Sequence, residues 1–248
     1  MRRIASLLMA TTTVGIIGSA ASAADLPIKS ALIPAPVYNW TGCYIGAQLG
    51  GGVENDSWAS ESGYNENSAG VIFGGQVGCN YQTGWQIFGG AVVVGVEGEG
   101  FWSGIGSSHT DSEGTGSDSE GFTYKSSNNW DFDIAARFGL AFDRTLIYTK
   151  AGAVWGGFSF SETEFRPGFS STANGSATLP GIILGVGVEY AFLPNWTAKL
   201  EYDWMAFAQK TVNFTCTTTC PDTEFNSFSE TIGANKQIIK LGVNYKFY

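Results

Sequence analysis

The stretch Trp130-Asp131-Phe132-Asp133-Ile134-Ala135-Ala136-Arg137-Phe138-Gly139-Leu140-Ala141-Phe142 decides the fold. Its even positions are Trp, Phe, Ile, Ala, Phe, Leu and Phe. Its odd positions carry Asp131, Asp133 and Arg137 among small residues. A period of two is the signature of a strand with two unlike faces. The run is 13 residues long, against about five or six for an ordinary strand. It suits a tilted strand crossing a bilayer, which needs roughly 9–11 residues.

The same alternation recurs in seven further stretches, at 41–53, 71–81, 90–102, 146–156, 181–192, 196–206 and 237–247. Eight strands are therefore expected. Three connections are short, around Thr83-Gly84, at 143–145 and at 193–195. Four are long and polar, at 54–70, 103–129, 157–180 and 207–236. Short and long alternate, and every proline is expected outside a strand interior, because proline lacks the ladder donor. An even strand number, with short turns at one end and long loops at the other, is the outer-membrane barrel pattern. Lipid offers no hydrogen-bond partner, so the sheet has to close on itself. The expectation is an all-β, eight-stranded antiparallel transmembrane up-and-down β-barrel over residues 41–248.

Period two does not by itself say which face is inside. An eight-stranded barrel has an interior only just wide enough for side chains, and Trp130, Phe132, Phe138 and Phe142 from one strand would overfill it. Glycine and a few charges fit. The expected lumen holds Glu97, Glu99, Asp131, Asp133, Glu189, Glu201 and Asp203 against Arg137, Lys150, Lys199 and Lys240, paired so as to offset their desolvation. Aromatic residues near the strand ends form two interfacial girdles: Trp40, Tyr81, Phe142, Phe192, Trp196 and Tyr245 at one end, and Trp102, Trp130, Trp155 and Trp204 at the other.

Composition agrees. The chain has 34 glycines in 248 residues and only 14% charged residues, where soluble domains carry about 25%. Its net charge of −9 speaks against nucleic acid, which requires clustered Lys and Arg. At the N-terminus, Arg2 and Arg3 precede an apolar run from Ile4 and the small-residue triplet Ala21-Ser22-Ala23. That is the form of a secretory signal peptide, so residues 1–23 are expected to be removed. Residues 24–40, with Pro27, Pro34 and Pro36, read as a periplasmic linker. No apolar run of about 18 residues follows Ala23, so no transmembrane helix is expected.

The order of several short motifs extends the reading. Trp40-Thr41-Gly42-Cys43-Tyr44-Ile45-Gly46 opens the first strand and Gly74-Gly75-Gln76-Val77-Gly78 lies in the second. Val94-Gly95-Val96-Glu97-Gly98-Glu99, Ala136-Arg137-Phe138-Gly139 and Gly187-Val188-Glu189-Tyr190-Ala191-Phe192 follow. Trp196-Thr197-Ala198-Lys199-Leu200-Glu201-Tyr202 and Gly242-Val243-Asn244-Tyr245-Lys246-Phe247 complete the series. In these strands the chain resembles the small eight-stranded outer-membrane proteins of Gram-negative bacteria, of the opacity-protein and outer-membrane-protein-A barrel type, within the porin family. The resemblance implies residence in the outer membrane, with outer-membrane lipid and lipopolysaccharide as partners. It also implies a C-terminal aromatic signal read by the barrel-assembly machinery. Tyr245 and Phe247 hold the lipid-facing parity, but Tyr248 follows, so which aromatic serves is open.

The cysteines fall in two pairs. Cys43 and Cys79 share parity on the first two strands, and antiparallel pairing with a residue sum near 122 brings them opposite each other; a cross-strand disulfide and two lipid-facing thiols are the alternatives. Cys216 and Cys220 flank three threonines and are expected to bridge locally in an oxidising compartment. The lone histidine, His109, lies among Ser107, Ser108 and Asp111 in a Ser- and Gly-rich segment read as a solvated loop. A catalytic triad needs such groups to converge on a rigid scaffold, so no enzyme, metal or cofactor is expected. The leading functional reading is a structural, surface-displayed barrel with its lumen plugged. A narrow porin-like channel for small solutes or ions is one alternative, and an adhesin acting through the long loops is another.

Overall fold

The structure, a computed structural model, describes residues 37–58, 65–114, 119–220 and 227–247. The expected signal peptide, residues 24–36 of the expected linker, and Tyr248 lie outside the described residues. Ten β-segments follow one another: β1 (Gly42–Trp58), β2 (Asn65–Ile87), β3 (Gly90–Ser103), β4 (Gly106–Glu113), β5 (Glu120–Phe142), β6 (Thr145–Arg166), β7 (Phe169–Ala191), β8 (Trp196–Phe207), β9 (Lys210–Thr218) and β10 (Ser227–Lys246). β4 resumes the course of β3, and β9 that of β8, so the ten segments trace eight antiparallel staves. β1 pairs with β10 from Tyr44↔Lys246 to Trp58↔Ile232, which closes the sheet on itself. This is the up-and-down barrel, and among the described residues closure leaves no free sheet edge in the membrane-spanning part.

The face assignment follows the packing argument. Ile45, Leu49, Phe73, Val77, Phe132, Ile134, Ile147, Val186 and Leu241 point outward and are 43–63% exposed. Glu97, Glu99, Asp133, Arg137, Lys150, Glu201 and Lys240 are at most 4% exposed and point inward. Glycines make room for them. A Cβ on Gly78 would lie 2.6 Å from the ring of Tyr44, and one on Gly187 would lie 2.5 Å from the ring of Tyr148, so each tyrosine lies over a glycine of a neighbouring strand.

Three expectations are corrected, besides the first short turn, which falls at Phe88-Gly89 and not around Thr83-Gly84, because β2 and β3 stay paired out to Ile87↔Gly90. First, much of the four long connections is strand rather than loop. β6 and β7 stay in register up to Arg166↔Phe169, turning through Pro167-Gly168 alone, with Gly168 at φ +74°. At roughly 3.3 Å per residue and a tilt near 40°, a strand of this length rises roughly 58 Å, about 30 Å more than the apolar band of about 25 Å. Above the Trp102–Trp130–Trp155 girdle the polarity of the faces reverses. Phe158, Phe160, Val212, Phe214 and Ile232 pack inside, while Ser127, Asn129, Ser159, Asn174 and Ser176 face out. The hydrogen-bonding medium is now outside, so the extension obeys the rule of a water-soluble barrel. Each fully buried aliphatic or aromatic side chain there contributes about 1.5–3 kcal/mol. A bulge between Asn128 and Trp130 shifts the alternation at the same height.

Second, Pro180 lies inside β7. Its carbonyl accepts from the Ala208 amide at 2.8 Å, so its nitrogen points at the break between β8 and β9. No ladder donor is required there.

Third, Trp40 is not a girdle residue and the end of the linker is not free. Trp40 is 1% exposed and packs with Tyr38, Val93, Ala141, Leu146, Tyr148 and Ala191 in the mouth at the short-turn end. Its indole donates to the Asp143 carbonyl at 3.0 Å, and its amide donates to Gln82 Oε1 at 2.9 Å.

Candidate functional site

The lumen between the two apolar ends holds the polar chemistry, in three tiers. Nearest the short-turn end, Arg137 on β5 lies between Tyr44 of β1 and Tyr148 of β6. Its Nη2 is 2.8 Å from Glu189 Oε2, and its guanidinium carbon lies 3.9 Å from the Tyr148 ring centroid. Arg137 Nη1 donates to the Tyr44 hydroxyl, which donates to Glu97 Oε2 at 2.6 Å. Glu189 also accepts from Thr197 and, at 2.8 Å, from Asn244 Nδ2.

The middle tier is denser. Lys150 of β6 reaches Glu99 at 2.8 Å and Glu201 at 2.9 Å. Lys199 of β8 reaches Glu99 at 2.7 Å, with Glu97 and Glu201 at 3.5 Å. Lys240 of β10 reaches Glu201 at 2.8 Å and also contacts Glu99 and Asp203. Asp133 stands 4.0 Å from Lys150. Oxygens of Glu97, Glu99 and Glu201 lie within 4.8 Å of one another, a spacing that could hold a metal ion. Lys150, Lys199 and Lys240 already place three ammonium groups among these carboxylates, so the positive charge comes from the chain.

In the third tier Lys236 is 2.7 Å from Asp131 and 3.1 Å from Glu54, under the rings of Phe158 and Phe207. Above it the apolar core of the extension fills the interior.

The eleven charged residues expected in the lumen all point into it, and ten of them share the lower two tiers. Asp131 stands apart with Lys236 and Glu54. Sequence reasoning missed those two partners because it ended one strand at 53 and began the last at 237. Parity would have found them, since Glu54 continues the series of Tyr44 and Gln48, and Lys236 that of Lys240. It also passed over Tyr44, Tyr148, Thr197 and Asn244 because they carry no charge.

The remaining candidates are placed as follows. Cys43 and Cys79 are directly opposed on β1 and β2 and bridged, on the outer face. Cys216 and Cys220 are bridged at the far end of β9. Tyr245 and Phe247 face outward, with ring centroids 5.3 Å apart. His109 lies on β4, opposite Tyr124, in a strand rather than a loop; β4 puts Ser107 and Asp111 on the same face as His109 and Ser108 on the other. Outside the membrane, Glu162 and Glu164 turn inward near the far end of β6 and are 8% and 7% exposed. Burial, with Glu230 and Glu164 nearby, pushes the Glu162 carboxyl up to about 7.

Comparison with known proteins agrees with this architecture. The family model described as outer membrane protein beta-barrel domain matches residues 11–247. The 31 kDa outer-membrane immunogenic protein of Brucella melitensis is 32% identical over 245 residues, covering 92% of this chain and 94% of that protein. The 22 kDa outer membrane protein of Rhizobium leguminosarum bv. viciae is 28% identical over 225 residues, covering 91% and 83%. Among solved structures, the outer membrane protein OprG of Pseudomonas aeruginosa aligns with a TM-score of 0.45 at 13% identity, over 85% of this chain and 98% of that one. With its closed eight-stave sheet, lipid-facing apolar band and family match over nearly its whole length, the chain belongs to the outer-membrane β-barrel proteins of Gram-negative bacteria.

Proposed function

We propose that the protein is a structural, surface-displaying barrel whose lumen is shut. The observation that carries this reading is the double closure of the interior. A layer of interlocked charges, almost wholly desolvated, joins β1, β3, β5, β6, β7, β8 and β10. A second layer of packed aromatic and aliphatic side chains lies above it. A solute would have to displace both, and eight staves leave little cross-section to begin with. What the chain offers the exterior is the extension, held up by the barrel beneath it. The Brucella relative's name, an immunogenic outer-membrane protein, fits an exposed position of this kind.

Planar-bilayer recording of the refolded protein tests the reading. No steady conductance is expected, either from the native barrel or after Phe158→Ala, because the ion-pair tier still closes the lumen. A steady ohmic conductance from the native protein, changed by Arg137→Ala, would replace the plug with a porin-like channel.

A further inference from the structure

The two polar interiors of this chain are built on opposite plans. In the lumen every tier of carboxylates has a lysine or arginine of the chain among it. The inner face of the extension carries Asp111, Glu113, Glu120, Glu162, Glu164 and Glu230, all of inward register. Among the described residues, its inward arginine and lysine are Arg166, at the far rim and paired with Glu164, and Lys210, opposite Ile232, whose ammonium group donates to the Thr178 carbonyl at 3.1 Å. The acids form a graded wall. Asp111, Glu113 and Glu120 are exposed. With Phe122, Glu164 and Arg166 they line a cavity of about 520 Å³ at the far mouth, within the range of roughly 300–1,000 Å³ of small-molecule sites. Two residues further down the inner face of β6, Glu162 is 8% exposed. It stands in one row with Tyr124 and His109, and it forms no ion pair or hydrogen bond with the described residues. Burial, with Glu230 and Glu164 nearby, pushes its carboxyl up to about 7. A buried carboxylate without a partner in the chain is costly, and this one lies beneath a cavity already rimmed by acids.

We infer that the cup at the far end of the barrel binds a linear organic polycation of the polyamine class, with Glu162 and Glu164 as its inner anchors and Asp111, Glu113 and Glu120 at its rim. A metal ion draws carboxylate oxygens to one point, and among the described residues that spacing occurs at Glu97, Glu99 and Glu201 in the lumen. The acids of the cup are spread instead. Successive inward positions on one strand, such as Glu162 and Glu164 or Asp111 and Glu113, lie about 6.6 Å apart, of the order of the separation between neighbouring amines in a linear polyamine. Phe122 of β5 stands between Asp111 and Glu164, with its ring centroid 6.2 Å from that of Tyr124. The two rings give an ammonium or methylene segment an aromatic wall. Ammonium groups entering from outside would do for Glu162 what Lys150, Lys199 and Lys240 do in the lumen. The inference rests on the surface-display reading only in placing the cup outside the cell, and holds whether or not the lumen conducts.

The test is calorimetric titration of the full barrel, folded in neutral detergent at low salt and above about pH 7, where Glu162 is ionised. Spermidine, propylamine and calcium chloride are the probes. Spermidine should bind more tightly than propylamine, which carries a single amine, and its affinity should fall in high salt. Glu162→Gln removes one charge-assisted contact and should weaken spermidine about tenfold. Adding Glu164→Gln should weaken it further. Glu162→Gln also relieves a buried charge, so this variant is expected to fold, with heat-dependent gel mobility as the check; if the double variant does not fold, the single one decides the matter. No spermidine binding, or equal affinity in the native protein and the Glu162→Gln variant, would overturn the inference. Calcium that binds as tightly and displaces spermidine would also overturn it, in favour of a metal site. Bilayer conductance would bear on the plug alone.

Discussion

Replacing Lys240 by methionine tests whether the middle tier is a mutually dependent set. The side chain keeps its apolar stem and loses an ammonium group in contact with Glu99, Glu201 and Asp203. The middle tier has five carboxylates, Glu97, Glu99, Asp133, Glu201 and Asp203, against three lysines, so the change leaves five against two. At an effective dielectric near 20, a single charge pair at hydrogen-bond distance is worth about 6 kcal/mol before desolvation is subtracted. Removing one partner of a buried pair costs about 3–5 kcal/mol net, which is a hundredfold or more in the folding equilibrium. Urea unfolding in detergent micelles, followed by tryptophan fluorescence and by heat-dependent gel mobility, measures it. Adding Glu201→Gln to Lys240→Met restores the earlier imbalance of one sign over the other and should recover about half of the loss. Lys125→Met on the outer surface should change stability by no more than about 0.5 kcal/mol. If Lys240→Met lies within about 1 kcal/mol of the native protein, or the double variant is no better than the single one, the lumen charges do not act as a set.

Three further outcomes are expected. Opening the Cys43–Cys79 bridge with paired serines frees a loop with a sequence separation of 36; chain entropy sets the loss at about 4 kcal/mol, read from the same urea titration against the oxidised native protein. Gly187→Ala places a methyl 2.5 Å from the Tyr148 ring and should cost about 1–3 kcal/mol, whereas Gly84→Ala, with open space around it, should cost far less. Glu162 faces Tyr124, Glu164 and Glu230, and its folded pKa is raised to about 7. The folded protein therefore holds this proton longer than the unfolded chain does. The associated stability is full below the free carboxyl pKa and is lost as pH rises to about 7. Glu162→Gln should flatten that slope; an unchanged slope would refute the assignment.

The sequence shows the membrane barrel clearly because lipid outside and a narrow lumen inside force a strict alternation of large apolar and small or charged residues. Trp130 through Phe142 states that rule almost without exception. The extension was illegible because the same period two continues with its polarity exchanged. Ser159-Phe160-Ser161-Glu162 looks like a polar loop until Phe160 is seen to be the inner residue. The bulge at Asn128–Trp130 and the break beside Pro180 blur the pattern further, and both rest on tertiary pairing. The lumen charges were legible as a set, but their individual partners were not, since Lys240 and Glu99 are 141 residues apart and only barrel closure brings them together.

The Cys43–Cys79 bridge also has a bearing on how the strands find their alignment. β1 and β2 are poor in side chains that could specify it: Gly46, Gly50, Gly51 and Gly52 on one, Gly70, Gly74, Gly75 and Gly78 on the other. Glycine-rich pairs slip easily, and a slip of one residue would turn every side chain to the opposite face. A covalent tie between residues 43 and 79 permits only the pairing whose residue numbers sum to 122 along the whole hairpin. The bridge thus acts as an alignment pin, placed on the two staves whose own side chains specify alignment least.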